Sequence, residues 1–289
     1  MLKGVFTALV TPLRNDRVDE ESLRRLVDEQ IRAGIDGLVP VGTTGESPTL
    51  SYQEHIRVVQ IVVEEAKKRV PVIAGTGSNS TREAIELTNS AKAVGADATL
   101  QVTPYYNKPT QDGLYRHFAA IASAGLPMVL YNVPGRTGCD LLPDTIARLS
   151  ELPQVVGVKE ATGNLQRAAQ IIARVGSRVA ILSGDDATAM PFYAVGGQGC
   201  ISVISNVVPA DMAAMWDAAA SGEWAKAREL HYKLFPLSEG LFIEANPIPV
   251  KTALAMMGKI GDELRPPLYA MSGANRERVR KILADLGLV

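Results

Sequence analysis

The segment VVGVKEATG, residues 155–163, is an apolar, β-branched run that ends on a lysine. It lacks the alternation of apolar and polar side chains that marks a half-exposed strand, and this is typical of a parallel strand covered on both faces. Lysine is almost never fully buried without a partner. Lys159 is therefore either a strand end that reaches water, paired with Glu160, or an amine directed into a site. The fold decides between these alternatives.

Seven further apolar runs of this kind alternate with helical patterns along the chain. Together with the first they form a set of eight candidate strands: 5–10, 37–41, 71–75, 98–102, 128–132, 155–159, 179–183 and 200–204. Eight strands, each followed by a helix, predict the α/β class and the (β/α)8 TIM barrel. An open, doubly wound sheet is the alternative, but no Gly-x-Gly-x-x-Gly turn follows the first run.

Two helix starts carry a recognisable capping pattern. Ser51 with Glu54, and Ser80 with Glu83, each have the spacing of a capping box. In such a box the serine and the acid each accept a backbone N–H of the other residue. We therefore expect helices to begin at these two serines.

No strand pattern remains after about residue 207. The sequence instead predicts four helices, at 209–221, 223–235, 247–257 and 274–286. We take the first of these as the completion of the barrel. The expected organisation is a catalytic barrel over residues 1–222 and a C-terminal helical extension over residues 223–289.

The composition argues against several classes of function. Hydrophobic residues make up 46% of the 289-residue chain, and the net charge is −1 with both signs interspersed. Nucleic acids and membrane surfaces favour basic patches, so we expect neither as a partner. No apolar run approaches the roughly 20 residues of a membrane helix, and Cys139 and Cys200 stand far apart, as expected of two reduced thiols. These features predict a soluble, cytoplasmic protein.

Metal chemistry is not expected at the mouth of the barrel, where the carboxyl ends of the strands place the reactive groups. The three histidines, His55, His117 and His231, all fall in helical patterns. Asp185 and Asp186 could hold a divalent cation, but the sequence favours them as N-caps of the following helix. We predict no metal and no other cofactor.

Lys159 has neighbours that suit an amine nucleophile. Tyr131 ends the preceding strand, and Arg136 follows it as one further cation. An apolar interior and a nearby cation both favour the unprotonated amine, which forms a Schiff base with a carbonyl group. The Tyr131 phenol would carry protons. The hydroxyls and glycines of the loop 42–46 suit a bound carboxylate or carbonyl, so the residues predict a Schiff-base enzyme that acts on a keto acid.

Five motifs follow one another along the chain: GTTGES (42–47), TPYYNKP (103–109), YNVPGRTG (131–138), GVKEATGN (157–164) and LSGDDA (182–187). In order and approximate spacing they closely resemble the dihydrodipicolinate synthase family, within the pyruvate-dependent class I aldolases. The resemblance runs through the whole chain. It implies the condensation of pyruvate with L-aspartate 4-semialdehyde in lysine and diaminopimelate biosynthesis. It also implies a homotetramer, a dimer of tight dimers, in a bacterial cytoplasm.

The resemblance implies four catalytic residues. Lys159 would form the Schiff base with pyruvate, and Tyr131 would pass protons. Thr43 and Tyr106 would complete a relay with Tyr131, with Tyr106 supplied by the neighbouring subunit. Without the resemblance, Thr43 and Thr44 could serve as turn residues and Tyr106 as an interface aromatic.

Substrate binding is implied for three more residues. Thr44 would hold the pyruvate carboxylate, and the carbonyl of Ile201 would lie at the pyruvate site. Arg136 would bind the carboxylate of the semialdehyde, which its planar guanidinium fits. On its own, Arg136 fits a surface ion pair equally well.

Feedback inhibition by lysine is a further implication of the resemblance. The family's inhibitor site, at the tight-dimer interface, maps to Ser47, Pro48, Tyr52, His55, Asn79, Glu83 and Tyr105. Tyr52 replaces a histidine of the lysine-sensitive pattern, and Pro48 replaces an alanine while keeping the carbonyl that the site uses. We expect a site that binds lysine weakly.

Two other functions are open from the sequence. Another pyruvate-dependent aldolase, acting on N-acetylneuraminate or a 2-keto-3-deoxy sugar acid, would share Lys159 and Tyr131 but does not usually carry an arginine like Arg136. A non-catalytic barrel that binds a small carboxylate would be expected to have lost one of these groups, and none is lost.

Overall fold

The computed structural model describes residues 2–289, and its main sheet has eight parallel strands. Ten strands, including a separate two-stranded hairpin, occur in chain order: β1 (Gly4–Ala8), β2 (Leu13–Arg14), β3 (Arg17–Val18), β4 (Gly37–Val39), β5 (Ile73–Gly75), β6 (Ala98–Val102), β7 (Met128–Asn132), β8 (Val155–Glu160), β9 (Ala180–Ser183) and β10 (Gly199–Ser202).

Twelve α-helices lie between and after these strands in residues 2–289. They are α1 (Glu20–Arg32), α2 (Tyr52–Ala66), α3 (Thr81–Ala93), α4 (Gln111–Ala122), α5 (Pro134–Thr137), α6 (Pro143–Leu149), α7 (Leu165–Val175), α8 (Ala189–Ala194), α9 (Pro209–Ala220), α10 (Trp224–Gly240), α11 (Ile248–Met256) and α12 (Gly273–Asp285). The last four match the four helices predicted after residue 207.

The eight-stranded sheet closes into a barrel. Its strand order is β4-β1-β10-β9-β8-β7-β6-β5, and a parallel bridge between Leu38 and Val72 joins the two ends. All eight predicted runs supply a strand, so the predicted (β/α)8 barrel with C-terminal helices is confirmed. Because every strand runs in the same direction, all carboxyl ends meet at one mouth.

The β2–β3 hairpin was not predicted. Its turn residues Asn15 and Asp16 both have positive φ, 54° and 57°. Asparagine and aspartate tolerate this left-handed conformation better than most residues, which suits a two-residue hairpin turn. Strands of two residues are too short to show an alternation of apolar and polar side chains, so the turn residues were the only local indication of a hairpin.

The two predicted capping boxes differ in the structure. At the start of α2, Ser51 and Glu54 each accept the other's backbone N–H, so this box is confirmed. At the start of α3, Ser80 accepts the Glu83 N–H, but the Glu83 carboxylate takes its hydrogen bond from Ser78 Oγ. The prediction of a second capping box was therefore wrong, because a nearby hydroxyl competes for the acid.

Apolar side chains fill the barrel and continue into the C-terminal helices. Inside the barrel, Phe6, Ile73 and Leu182 belong to one buried cluster. A second cluster runs from α8 and α9 to α12, where Leu283 is fully buried. None of the helices in residues 2–289 is both long and apolar enough to cross a membrane.

Candidate active site

Lys159 is buried beside Tyr131 at the carboxyl end of the barrel. The two residues are paired across β8 and β7, and they are 5% and 6% exposed. The Lys159 Nζ atom lies 4.3 Å from the centroid of the Tyr131 ring. At this distance the side-chain nitrogen packs against the face of the aromatic ring. Lys159 is therefore not a strand end that escapes into water.

Glu160 takes no part in holding Lys159. Successive residues of a strand point to opposite faces, and the Glu160 carboxylate accepts a hydrogen bond from Arg167 Nε at 3.1 Å and another from Asn132. The alternative in which Glu160 pairs with the lysine is wrong. Glu160 has a structural role, because it ties β7 and β8 to α7.

Space for the lysine stem is provided by Gly184, which follows β9. A Cβ atom added to Gly184 would lie 3.0 Å from both Cγ and Cε of Lys159 and 2.6 Å from the Cβ of Ala161. Contacts this short force neighbouring atoms to move. Gly184 belongs to the motif LSGDDA, whose sequence does not reveal this role: a residue without a side chain leaves room for a long buried lysine.

A cavity of about 450 Å³ opens beside Tyr131. This volume falls within the usual range of small-molecule sites, about 300–1,000 Å³. Thr43, Tyr131 and Arg136 line it, so three of the predicted active-site residues share one space. Lys159, Thr44 and Ile201 are not part of its wall, but Lys159 Nζ lies over the ring of Tyr131, which is part of it.

The loop from Gly42 to Glu46 is anchored by buried polar contacts. Thr44 Oγ1 accepts a hydrogen bond from Asn246 Nδ2 at 3.0 Å, and the Glu46 carboxylate forms a wholly buried ion pair with Lys251. Burial lowers the pKa of Lys251, and the Glu46 charge opposes that shift. Glu46 is thus neutralised by the protein, and the loop offers a substrate only its hydroxyls and backbone.

Asn246 and Lys251 were missed by the sequence reasoning. Both come from the C-terminal segment, 202 and 205 residues away from their partners in the loop. The only available signal was a lysine within the mostly apolar stretch IPVKTALAM of α11, where a charge needs a partner.

Arg136 lies on the short helix α5 and faces the cavity. Within residues 2–289 it forms no salt bridge, and Nη2 donates a hydrogen bond to the backbone carbonyl of Asn246 at 3.4 Å. The alternative of a surface ion pair is therefore not met in the described chain. The guanidinium retains donors for an incoming carboxylate.

Tyr106 stands apart from the other predicted catalytic residues. It is 89% exposed, and its backbone has a φ of 75°, held by a hydrogen bond from its N–H to the carbonyl of Thr137. A single chain therefore does not bring Tyr106 to Tyr131. A relay that includes this phenol requires another copy of the chain.

Ile201 is buried on β10, next to a turn held by Asp186. The Asp186 carboxylate accepts the N–H groups of Val203 and Ile204 at 2.8 and 3.0 Å, and burial raises its pKa. Asp185 accepts the N–H of Thr188, the residue that itself occupies the N-cap of α8. The prediction that both aspartates cap this helix was wrong; Asp186 instead holds the segment after Ile201.

The whole chain matches one family model. The Dihydrodipicolinate synthetase family (DHDPS) model covers residues 1–286. The chain belongs to this family.

Full-length relatives extend this assignment. A 4-hydroxy-tetrahydrodipicolinate synthase from Nitratidesulfovibrio vulgaris is 57% identical over 288 residues and covers 99% of both chains. The chloride-inhibited dihydrodipicolinate synthase of Acinetobacter baumannii, solved with pyruvate, is 48% identical with a TM-score of 0.98 over 100% of both chains. The DHDPS of Cyanidioschyzon merolae, solved with lysine bound, is 39% identical with a TM-score of 0.97 over 99% of both chains. These names favour the synthase over the sugar-acid lyases.

Six of the seven residues that the family resemblance assigns to an inhibitor site line the same cavity. Its wall includes Ser47, Pro48, Tyr52, His55, Glu83 and Tyr105. Asn79 is not part of this wall, but its side chain donates to the Tyr105 carbonyl at 3.2 Å.

His55 is the buried member of this set. Its Nε2 lies 2.7 Å from the Gly75 carbonyl, and its Nδ1 lies 3.5 Å from Ser47 Oγ. Burial lowers the pKa of His55, which favours the neutral ring at physiological pH. With Nε2–H donating to the carbonyl, Nδ1 is left as an acceptor.

Tyr52, the first residue of α2, already has hydrogen-bond partners. Its hydroxyl lies 2.5 Å from Ser90 Oγ and donates to the carbonyl of Glu86 at 3.3 Å. Both partners belong to α3, so the phenol links the two helices. A ligand that used this hydroxyl would have to compete with both contacts.

Proposed function

We propose that this chain condenses pyruvate with L-aspartate 4-semialdehyde to give 4-hydroxy-tetrahydrodipicolinate, with Lys159 as the nucleophile. The reaction belongs to lysine and diaminopimelate biosynthesis. One observation carries the proposal: a buried lysine at a strand end faces the ring of Tyr131, which itself lines a cavity of substrate size. Family membership over the whole chain supports the choice of substrates.

The chemistry begins with the unprotonated amine of Lys159. It adds to the ketone carbon of pyruvate, water leaves, and the resulting iminium ion is the Schiff base. Loss of a methyl proton gives an enamine, whose carbon attacks the aldehyde carbon of the second substrate while the aldehyde oxygen takes up a proton to become a hydroxyl. The amino group of that substrate then closes the ring and releases Lys159. The iminium ion formed on Lys159 acts as the electron sink, so the reaction needs no metal or other cofactor.

Proton transfer is assigned to the phenol of Tyr131. Its ring is fixed over Lys159, and its side chain faces the cavity. Thr43 lines the same cavity and would pass the proton on, with Tyr106 of another chain as the outer member. A positioned acid–base group typically contributes about 10²–10⁴-fold to a rate.

Three groups would bind the substrates. The Thr44 hydroxyl would hold the pyruvate carboxylate, and the Ile201 carbonyl would face the same substrate. Arg136 would bind the carboxylate of the semialdehyde at the cavity wall, where it has no carboxylate partner in residues 2–289.

A homotetramer built from two tight dimers is the assembly that we propose. Support comes from Tyr106, a large aromatic that is 89% exposed although it lies within one of the five motifs. We place this assembly in the cytoplasm, where its two free, buried cysteines, Cys139 and Cys200, would stay reduced.

We also propose that the inhibitor residues form a weak lysine site. His55 and Glu83 would contact the ligand across the cavity wall, and the lysine-bound relative supports this use of the fold. Tyr52 is committed to α3 and would contribute less than a free side chain. A titration of activity with L-lysine is the test, and inhibition at tens of micromolar would show that the site is not weak.

Borohydride trapping tests the proposed function. Incubation with pyruvate and borohydride should add one reduced pyruvate to the chain, and peptide mass mapping should place it on Lys159. Lys159→Ala should prevent the addition, whereas the exposed-residue control Lys68→Ala should leave it unchanged. Addition at another lysine, or none in the unmodified chain, would reject the proposal. Turnover of pyruvate with N-acetylmannosamine instead of the semialdehyde would reject the substrate assignment.

A further inference from the structure

Asn246 contacts both of the residues assigned to substrate carboxylates. It is buried in the segment between α10 and α11, outside the strands of the barrel. Its side-chain Nδ2 donates to Thr44 Oγ1 at 3.0 Å, and its backbone carbonyl accepts from Arg136 Nη2 at 3.4 Å. The two contacts use different parts of the residue, so a substitution of the side chain separates them.

The direction of the bond to Thr44 determines what its hydroxyl can still do. A threonine hydroxyl has one hydrogen and two lone pairs. Because the Asn246 amide hydrogen occupies one lone pair, the Thr44 hydrogen is free and the hydroxyl is left as a donor. A carboxylate only accepts hydrogen bonds, so it needs a donor at this position.

The other end of the Asn246 amide has no structural use. Its Oδ1 atom is buried and lacks a hydrogen-bond partner within residues 2–289. Buried polar atoms are bonded in the great majority of cases, and an unpaired one requires an explanation. A need for the Nδ2 donor explains the unpaired oxygen, because an asparagine amide that supplies Nδ2 to Thr44 necessarily carries Oδ1 as well.

The backbone around this contact is fixed by a second link between the same two segments. Lys251 follows Asn246 by five positions and Glu46 follows Thr44 by two, and their ion pair is wholly buried. Breaking a buried pair leaves an uncompensated charge. The link therefore holds the loop and the start of α11 together, and the amide meets the hydroxyl without rearrangement.

We propose that Asn246 is a positioning residue that fixes the Thr44 hydroxyl as a donor to the carboxylate of pyruvate. The inference rests on the proposed role of Thr44. It assigns part of the pyruvate affinity to the C-terminal segment, which acts through Thr44 rather than on the reacting atoms.

Two substitutions at Asn246 test the direction of the bond. Asn246→Ala leaves the hydroxyl free to rotate, and Asn246→Asp offers an acceptor that takes the Thr44 hydrogen and adds a negative charge. The pyruvate concentration for half-maximal borohydride trapping should rise about tenfold in the alanine variant and further in the aspartate variant. The KM for pyruvate should follow, with kcat changed by no more than about twofold.

The second substrate separates positioning from a general loss of structure. The Asn246 backbone carbonyl still accepts from Arg136 in both variants, so the KM for the semialdehyde should stay near that of the unmodified chain. A merely structural role would raise both KM values together. The midpoint of thermal unfolding, measured beside the kinetics, should stay within a few degrees in the alanine variant, whereas the buried carboxylate of the aspartate variant should lower it.

A double-mutant cycle identifies Thr44 as the mediator. In a Thr44→Val background, which has no hydroxyl to orient, adding Asn246→Ala should cause no further loss of pyruvate affinity. In a Thr44→Ser background, which keeps the hydroxyl, the alanine substitution should cost about as much as in the unmodified chain.

Each contrary result has a distinct meaning. Unchanged pyruvate dependence in the aspartate variant, parallel rises in both KM values, or a full loss in the valine background would overturn the role of Asn246 while Lys159 is still trapped. Failure of pyruvate to trap Lys159 in the unmodified chain would overturn the proposed function, and the role of Asn246 with it.

Discussion

Lys251 of α11 and Glu46 of the loop after β4 form an ion pair in which neither side chain is exposed to solvent. Glu46 also has a positive φ of 56° and accepts the backbone N–H of Arg265 at 3.0 Å. The C-terminal helices are thereby joined to the loop that carries Thr43 and Thr44. The stability of the fold and the geometry of the site depend on the same buried charge pair.

Removal of one partner should destabilise the chain strongly. Lys251→Met leaves Glu46 buried without its cation, and we expect a loss of about 3–5 kcal/mol in the free energy of unfolding. The double variant Lys251→Met with Glu46→Leu removes both charges and should recover most of that loss. Urea denaturation measures both. A single variant as stable as the unmodified chain would show that the pair does not hold the loop.

Acid should weaken the contact between Glu54 and Arg265. The guanidinium hydrogen-bonds both carboxylate oxygens, at 2.6 and 2.8 Å, and lowers the pKa of Glu54 from 4.5 to about 2. A depressed carboxylate pKa means that folding favours the ionised form. The stabilisation is therefore complete above about pH 4.5 and is lost as the pH falls towards 2.

Comparison with Glu54→Gln isolates this contribution. The difference in the free energy of unfolding between the unmodified chain and the variant should be constant from pH 7 to about 5 and then shrink in more acidic solution. Urea denaturation at a series of pH values gives the curve. Glu151→Gln, at an exposed carboxylate, should show no such trend. A difference independent of pH down to 3 would contradict the assignment.

Gly184→Ala should disturb Lys159 directly. The new Cβ would lie 3.0 Å from two atoms of the lysine stem and 2.6 Å from Ala161. Overpacking of this kind costs about 1–3 kcal/mol, and displacement of a nucleophile by about 1 Å can slow a reaction by roughly a hundredfold. We expect the rate of borohydride trapping with pyruvate to fall by at least about tenfold.

A matched glycine provides the control for that experiment. A Cβ added to Gly273, at the start of α12, would meet no heavy atom within 4 Å. Gly273→Ala should therefore leave both trapping and stability near those of the unmodified chain. Equal trapping rates in the two variants would show that a side chain at Gly184 does not displace Lys159.

The strand pattern and the strand ends were predictable because they depend on local sequence. Uninterrupted β-branched runs revealed all eight barrel strands, and the position of Lys159 at the end of one run placed it beside Tyr131. Some predicted apolar runs are longer than the strands they form. The run 37–41, for example, forms only β4, Gly37–Val39. Apolarity continues past the last hydrogen bond because the barrel end is still buried.

Contacts between segments that are distant in the sequence could not be predicted from local patterns. Asn246 meets Thr44 across 202 positions, and no local period encodes that distance. Competition among neighbouring polar groups for one hydrogen-bond acceptor could not be predicted from the sequence either. Glu83 has the spacing of a capping box, but Ser78 captures its carboxylate, and only the folded geometry decides which hydrogen bond forms.

Tyr131→Phe should separate the catalytic role of the hydroxyl from the packing of the ring against Lys159. The ring that covers Lys159 remains, and only the hydroxyl is removed. Loss of a general acid–base group typically costs 10²–10⁴-fold, so we expect kcat to fall by roughly a hundredfold or more. Thermal unfolding should be unchanged, as in the exposed control Tyr232→Phe. Retention of most of kcat would assign proton transfer to another group.

Mixing of two inactive variants should reveal whether Tyr106 acts across subunits. A chain with Tyr106→Phe keeps its own Lys159, and a chain with Lys159→Ala keeps its own Tyr106. If each site combines Lys159 of one chain with Tyr106 of another, a mixed assembly contains complete sites and regains activity, whereas each pure variant stays low. The exposed position of Tyr106, away from the Tyr131 cavity, is the reason to expect this.

The size of the recovery makes that experiment quantitative. Random pairing of equal amounts of the two chains gives mixed pairs in half of the dimers, each with one complete site of two, so recovery should approach about a quarter of full activity. Co-refolding of the two variants allows subunits to exchange, and mixtures that are never unfolded provide the control. Activity no higher than the sum of the pure variants after exchange would show that Tyr106 is not shared and that its exposure serves another contact.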